Sequence, residues 1–196
     1  MKDRKWRIGR RTLIGLTAIT LAVTLLSTAA IAATLARTFD DGTHRIGKDI
    51  PAATYRAPKV SGGLFGGCYW ARLRNFSGGL NAILANGNES APALVTIKPT
   101  DRGFQTAGCG RWTSDLRRIT TSRTQFGAGT YLVGVDIAPG TYVARAGSRC
   151  YWARLRAFTG DLSAIIANAN PRGRTIVTIS RSDRGFQSNG CGTWTR

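Results

Sequence analysis

Downstream of residue 36, apolar and polar positions alternate in short runs separated by Gly, Pro, Asn and Asp. No apolar repeat of 3.6 residues, which would indicate an amphipathic helix, runs through this part of the chain. Short alternating runs bounded by turn-forming residues are typical of β-strands. About six strands in a domain of some 70 residues predict an all-β fold, either a small sandwich or a barrel. In the C-terminal half, the expected strands are 131–133, 141–146, 150–158, 163–167, 175–180 and pieces of 185–195.

The N-terminus has a different pattern, in which a basic segment of 11 residues precedes an uncharged apolar stretch at 12–36. A basic region, an apolar region and small residues such as those at 30–32 form the pattern of a secretory signal peptide. The 25 uncharged residues could also cross a bilayer core of ~30 Å as an uncleaved anchor helix. The Arg10-Arg11 pair leaves twin-arginine export as an alternative to ordinary secretion. We therefore expect an exported protein, secreted or attached to the cell envelope.

The rest of the chain is an internal duplication. Residues 68–113 align with residues 150–195 without a gap, and 28 of the 46 aligned positions are identical. Such a match predicts two tandem copies of one small β-domain. The expected divisions are a signal peptide or signal anchor at 1–36, β-domain copy one at 37–113, a polar, basic linker at 114–126, and β-domain copy two at 127–196.

Four cysteines occupy matching positions of the duplication, 41 residues apart in each copy. A small exported domain has a limited core and is commonly stabilised by disulfides. Pairing within each copy, Cys68 with Cys109 and Cys150 with Cys191, is the natural expectation, although four cysteines allow three connectivities. Neither copy contains a C-x-x-C pair and the chain has one histidine, so we predict no metal site and no cofactor.

Copy two contains the string V-G-x-D-I-x-P-G-T-Y, followed by C-Y-W-A-R-L, A-N-x-N, V-T-I, D-x-G-F-x-S and G-C-G-T-W. This series resembles an uncharacterised exported repeat of high-GC Gram-positive bacteria. The resemblance covers most of residues 42–196 and is weaker in copy one upstream of Cys68. It implies secretion or envelope attachment and no established activity.

The Cys-Tyr-Trp-Ala-Arg-Leu-Arg segment carries the candidate binding residues. Strand alternation places its tyrosine, alanine and leucine on one face and its tryptophan and arginines on the other. An aromatic ring beside guanidinium groups can stack on a sugar while the arginines hold a carboxylate or phosphate. The same pattern fits a structural role, in which the tryptophans cover the disulfides and the arginines stack on them. The candidate face consists of Trp70, Arg72 and Arg74 in copy one and of Trp152, Arg154 and Arg156 in copy two.

Charge points to an anionic partner. The chain has 28 Lys and Arg against 10 Asp and Glu, a net charge of +18, of which +13 remains without residues 1–36. Such an excess favours cell-wall polymers, anionic lipid or nucleic acid, although it is also compatible with an ordinary solvated surface. Export makes an encounter with nucleic acid uncommon. Contact with the membrane is expected only through the N-terminal segment, if this segment is not cleaved.

Catalysis finds little support in the sequence. The one histidine, His44, corresponds to Tyr131 in copy two, and no serine or cysteine nucleophile has an assigned base. We therefore expect no enzyme, but a secreted, envelope-associated binding protein for an anionic or carbohydrate surface polymer. The alternative is an extracellular protein-binding module, such as an inhibitor or adhesion factor. A cell-wall hydrolase that depends on the repeated Asp101 and Asp183 ranks below both.

Overall fold

The computed structural model describes residues 37–60, 67–90, 92–147 and 149–196. The predicted signal or anchor segment lies outside them. Within these ranges the fold is all-β, as the sequence predicts, apart from two single turns of 3-10 helix. No helix of the described ranges is long and apolar enough to span a membrane.

Copy one forms two four-stranded antiparallel sheets, with strand orders β1-β8-β3-β6 and β2-β7-β4-β5. The edge strands of these sheets include β6 and β2, which matter for the contacts described below. The strands are β1 (Thr38–Phe39), β2 (Gly42–Arg45), β3 (Thr54–Ala57), β4 (Cys68–Leu73), β5 (Ile83–Glu89), β6 (Ala93–Thr96), β7 (Gly103–Ala107) and β8 (Trp112–Thr113).

Copy two repeats this arrangement, with strand orders β9-β16-β11-β14 and β10-β15-β12-β13. The equivalent edge strands are β14 and β10. The two tandem sandwich-like halves predicted from the duplication are thus confirmed. The strands are β9 (Gln125–Phe126), β10 (Gly129–Leu132), β11 (Gly140–Ala146), β12 (Tyr151–Leu155), β13 (Ile165–Ala169), β14 (Gly173–Ile179), β15 (Gly185–Asn189) and β16 (Trp194–Thr195).

The predicted strands 150–158 and 163–167 differ from the observed ones. The pairing of β12 with β13 shifts register between Arg154 and Leu155, and β12 ends there. The backbone N–H of Arg156 then donates to the carbonyl of Ala164, which closes a loop onto a 3-10 turn at Leu162–Ala164. A bulge of this kind inserts a residue into one strand and bends it. The predicted strand 150–158 is therefore a strand followed by a loop, and the predicted strand 163–167 begins as a 3-10 turn.

Aromatic side chains fill the space between the two sheets of each copy. In copy one, Phe104 and Trp112 meet edge to face at 5.4 Å, and Phe186 and Trp194 repeat this contact in copy two. The indole N–H of Trp112 donates to Thr106 Oγ1 at 2.9 Å, so its one polar atom is satisfied in the core. Edge-to-face aromatic pairs of this kind add about 0.5–1.5 kcal/mol beyond the area they bury.

The cysteines pair within each copy, as predicted. Cys68 is bonded to Cys109 and Cys150 to Cys191, and the sulfur atoms lie in the interior. Each bond closes a loop of 41 residues. On the chain-entropy model, closing a loop of this length stabilises a folded domain by about 4 kcal/mol.

The two copies contact each other, and their described residues form one compact unit. Edge strand β6 of copy one lies beside β10 of copy two. The N–H of Thr130 donates to the carbonyl of Pro92 at 2.6 Å, and the N–H of Thr96 donates to the carbonyl of Phe158 at 2.8 Å. These bonds satisfy backbone groups that an edge strand would otherwise expose.

The segment between the copies contacts both of them. Arg56 of copy one donates to the carbonyl of Arg117 at 2.6 Å and to the carboxylate of Asp136 at 2.5 Å. The N–H of Ile119 donates to the same carboxylate at 3.2 Å. The side chains of Arg56 and Asp136 are fully buried. A buried ion pair is tolerated when further hydrogen bonds accompany it, and here these bonds leave only Arg56 Nε without a partner among the described residues of the pair's surroundings.

Candidate functional site

The structure places Trp70 and Arg72 inside the molecule, with each side chain about 2% exposed. Trp70 belongs to the core of copy one, and its indole N–H donates to Glu89 Oε1 at 2.9 Å. Arg72 makes a bidentate contact with Asp101 at 2.7 and 2.9 Å, and it also donates to the carbonyl of Thr159 in copy two. The strand alternates as predicted, but this face points inward and is not an open binding face.

In copy two the same residues are somewhat more accessible. Trp152 packs against Phe186 with ring centroids 6.2 Å apart, and its buried indole N–H has no partner among the described residues. Arg154 makes the equivalent bidentate contact with Asp183, and a quarter of its side chain is exposed.

Of the six predicted residues, Arg74 and Arg156 are exposed. Arg72 and Arg154, by contrast, can lie away from solvent because each has a carboxylate partner from a distant turn, Asp101 or Asp183. A charge neutralised in this way can be buried. The repeated aspartates also hold their own turns, since the N–H of Lys98 donates to Asp101 at 2.8 Å.

The opposite face of the same strand forms a groove, which we call groove two in copy two. Its floor and walls are Leu155, Phe158, Gly160, Ala164 and Ile165. Copy one closes this groove. Leu94 of β6 packs with Ala153, Leu155 and Phe158, which leaves Phe158 only 6% exposed. A pocket of about 160 Å³ remains between the copies, lined by residues of both.

Trp70 contacts groove two from the side of copy one. A Cβ atom at Gly160 would lie 2.4 Å from Cη2 of Trp70, a separation that atoms cannot adopt. Gly160 also has a φ of +72°, which L side chains rarely adopt. The glycine therefore permits both the turn and the close approach of the indole ring.

Glu89 is the one buried carboxyl of this junction without a cationic partner among the described residues. It accepts hydrogen bonds from the indole of Trp70 in copy one and from Thr130 Oγ1 of copy two, the latter at 2.7 Å. Burial raises its pKa to about 7, and the two hydrogen bonds oppose that rise. In copy two the aligned residue is Pro171, so the carboxyl is specific to the junction.

A second ion pair lies at the rim of the junction. Lys98 of copy one donates to Asp161 of copy two at 2.7 Å, and both side chains remain partly exposed. Asp161 also lies 3.5 Å from Arg72. Its aligned residue in copy one is Gly79, and Ser180 of copy two takes the position of Lys98. Neither member of the pair is thus present at the equivalent position of the other copy.

Copy one carries the same groove, which we call groove one, and no described residue of copy two covers it. It forms an open pocket of about 220 Å³. Phe76 of groove one is 51% exposed, whereas the aligned Phe158 is 6% exposed. Nine residues of groove one align with nine that line the covered pocket on groove two. They are Thr43, Leu73, Asn75, Phe76, Gly78, Gly79, Ala82, Ile83 and Gln105.

Sequence reasoning did not identify the grooves or the junction. The positions that differ between the copies carried a signal, because Glu89, Lys98 and Asp161 are all replaced in the other copy and all lie at the junction. The identical positions, on which the Trp/Arg prediction was based, instead encode the shared fold. No group of three or more potential metal ligands occurs among the described residues.

A family model described as the Rv1352-like extracellular domain matches the chain twice, at residues 36–113 and 123–195. The two matches cover more than half of the chain and coincide with the two sandwich-like halves. No curated protein and no solved structure gives a significant match.

Proposed function

We propose that this chain, which belongs to the family of the Rv1352-like extracellular domain, is a non-enzymatic extracellular protein that binds an extended protein segment in groove one. The groove offers apolar side chains and an adjacent edge strand. The expected ligand is a strand with a central branched apolar residue, held by main-chain hydrogen bonds beside β2. Strand addition to an exposed sheet edge is a common mode of peptide recognition.

One observation carries this proposal: the aligned groove two already holds a protein segment of this kind. Strand β6 lies beside β10 there, with Leu94 in the groove and two main-chain hydrogen bonds alongside. The groove residues are nearly the same in the two copies. Groove one therefore has the shape and chemistry that accept β6, with nothing of the described chain in it.

The interior carboxylates are already held by other groups of the protein. Asp101 and Asp183 are each held by an arginine, and Asp136 is held by Arg56. Glu89 lies under the junction and has two neutral donors. A catalytic acid or base must reach a substrate within hydrogen-bonding distance, and these groups are already engaged.

The test uses a synthetic peptide of residues 90–98, which contains β6, and measures its binding to the purified protein by titration calorimetry. We expect binding that weakens at least tenfold in Phe76→Ala, because the exposed ring forms one wall of groove one. Leu162→Ala serves as the control, since Leu162 is 86% exposed and lies outside both grooves. Equal binding by wild type and Phe76→Ala would contradict the proposal.

A second candidate function is binding of an anionic surface polymer. Arg145 and Arg174 lie directly opposite each other on β11 and β14, and both are exposed. Like charges in a cross-strand pair destabilise a sheet, and a bound anion would relieve the repulsion. The high net positive charge of the chain supports the same candidate.

This candidate is tested by sedimentation with purified cell-wall material across a salt series. The double variant Arg145→Gln/Arg174→Gln should bind more weakly and with a shallower salt dependence. Arg181→Gln, another exposed arginine, is the control. Absence of co-sedimentation even at low salt would exclude the polymer as a ligand.

A further inference from the structure

The contact between the copies joins two different faces. One is groove two. The other, which we call ridge one, is the outer side of β6 with Leu94 at its centre. A contact between unlike faces leaves one of each kind unused in a duplicated chain. Here these are groove one and the equivalent ridge two on β14, with Ile176 at the position of Leu94.

Each unused face has an exposed apolar residue at its centre. Ile176 is 51% exposed and lies opposite Val143 on β11. Phe76 in groove one is also 51% exposed. Leu94 and Phe158, the aligned residues of the used faces, are only 2% and 6% exposed. Exposed apolar patches of this kind commonly mark interaction sites.

We propose that the protein associates head to tail, with ridge two of one molecule seated in groove one of the next. This inference rests on the proposed function, because it names the segment that groove one takes. The partner is a second copy of the chain. Strand β14 of one molecule then lies beside β2 of the next, as β6 lies beside β10 within the chain.

The register of the internal contact indicates which backbone groups pair between molecules. Thr130 donates to Pro92 within the chain, and the aligned positions are Thr43 and Arg174. Both β14 and β2 are edge strands of their sheets. An edge strand has a strand neighbour on one side only, so its other side is open to pairing. On β2 this applies to Thr43, since the N–H of Arg45 already donates to the carboxylate of Asp49 at 2.7 Å.

Three charged groups of the internal contact are absent from the unused faces. The pair Lys98–Asp161 is replaced by Ser180 on ridge two and Gly79 in groove one, so neither side buries an unmatched charge there. The buried Glu89 is replaced by Pro171. A desolvated charge without a partner would cost several kcal/mol, and the absence of these three groups avoids that cost. The pair Arg56–Asp136 is replaced by Val143 on ridge two and Asp49 in groove one, where the exposed Asp49 accepts a hydrogen bond from the N–H of Arg45.

A head-to-tail contact between unlike faces builds a ring if the rotation closes and an open filament if it does not. This gives a sharp test with two variants. Phe76→Glu disables groove one and Ile176→Glu disables ridge two, both at exposed positions where a charge does not disturb the core. Leu162→Glu is the control, with the same charge change at an exposed leucine outside both faces.

The measurement is sedimentation velocity of the purified full chain over a range of concentrations. The N-terminal segment is the same in all variants and contributes equally. We expect wild type and Leu162→Glu to form species larger than a dimer, and each of the other variants to stay monomeric. An equimolar mixture of Phe76→Glu and Ile176→Glu should form dimers and nothing larger, because one intact groove and one intact ridge remain between them.

The possible failures are distinguishable. A wild-type protein that stays monomeric while the 90–98 peptide binds would overturn self-association and leave the proposed function intact, with a different protein as the partner. Absence of both self-association and peptide binding would overturn both proposals. Assembly that survives in each single variant would show that other faces mediate it, and this outcome also overturns the inference.

Discussion

Glu89, which lies between the two copies, makes the stability of the folded protein depend on pH. Its pKa is raised from the ordinary value of 4.5 to about 7 by burial, which disfavours the charged form. Between these values the unfolded chain has lost a proton that the folded chain keeps. Stability therefore falls as the pH rises from about 4.5 to about 7 and does not change further through this group above that range.

The variant Glu89→Gln should remove this pH dependence. Gln can still accept a hydrogen bond from Trp70 and donate one to Thr130, and it has no proton to lose. We expect similar stabilities of variant and wild type below pH 4.5, and a more stable variant above pH 7, by up to about 3 kcal/mol. Urea unfolding at pH 4.5 and pH 8 measures the difference. A variant with the wild-type pH profile would refute the assignment.

The two strand tryptophans offer a matched pair of substitutions. Trp70→Phe removes the donor to Glu89, whereas Trp152→Phe removes an N–H that has no partner among the described residues. Both substitutions replace an indole ring with a phenyl ring. We expect Trp70→Phe to lower the free energy of unfolding by about 1–3 kcal/mol more than Trp152→Phe does, because a hydrogen bond to a buried carboxyl is lost. Equal losses in chemical denaturation would show that the indole–carboxyl bond contributes nothing.

At the scale of an element, the loops after β12 and β4 are equivalent but have different surroundings. The loop after β12 contacts copy one at the junction, whereas the loop after β4 borders groove one. Gly78 and Gly160 occupy the same position in these loops, with φ values of +77° and +72°. Alanine at either position adopts a left-handed backbone, at a cost of about 1–2 kcal/mol. Only at Gly160 does the new Cβ also meet Trp70, since nothing lies within 4 Å at Gly78.

Gly160→Ala should therefore destabilise the protein more than Gly78→Ala, by at least about 1 kcal/mol, because the loop must move away from Trp70. Thermal unfolding of the two variants measures this difference. The excess should disappear in the background of Trp70→Ala, which removes the ring. Equal destabilisation by the two alanines would contradict the packing of Trp70 on this loop.

The sequence predicts the alternation of β4 and β12 but not its direction. One face of the strand carries tyrosine, alanine and leucine, and the other carries tryptophan and arginines. With such a pattern, the face with the arginines is normally exposed to solvent. The ion pairs of Arg72 with Asp101 and of Arg154 with Asp183 reverse this, and each joins residues 29 positions apart. A contact at that separation cannot be derived from strand periodicity. The leucine face turns away from the space between the sheets and forms the floor of the grooves, where Leu73 and Leu155 are only 6% and 8% exposed.

For the whole molecule, the duplication predicts what the copies share and is silent on how they meet. Identical spacing of the cysteines predicts both disulfides, and matching turn residues predict two similar sandwiches. Identical residues cannot indicate which face of one copy contacts the other, because both copies offer every shared face. The junction is encoded at the differing positions, such as Glu89 and Asp161, whose partners lie in the opposite copy.

The net charge of the molecule separates the two modes of association by their response to salt. Each molecule carries a large positive charge, so two molecules repel each other at low ionic strength. The proposed contact between Ile176 and groove one is apolar, and salt screens the repulsion that opposes it. Binding to an anionic polymer depends on the charge itself and weakens as salt rises.

We therefore expect self-association to strengthen as salt rises from about 50 to about 500 mM, a range over which the Debye length shortens several-fold, while co-sedimentation with cell-wall material declines. Sedimentation velocity and the cell-wall assay on the same preparation measure both trends. Arg145 and Arg174 flank ridge two on the outer side of β11 and β14, so a bound polymer should also compete with assembly. Self-association that weakens with salt would mean that ion pairs, and not the apolar ridge and groove, hold the molecules together.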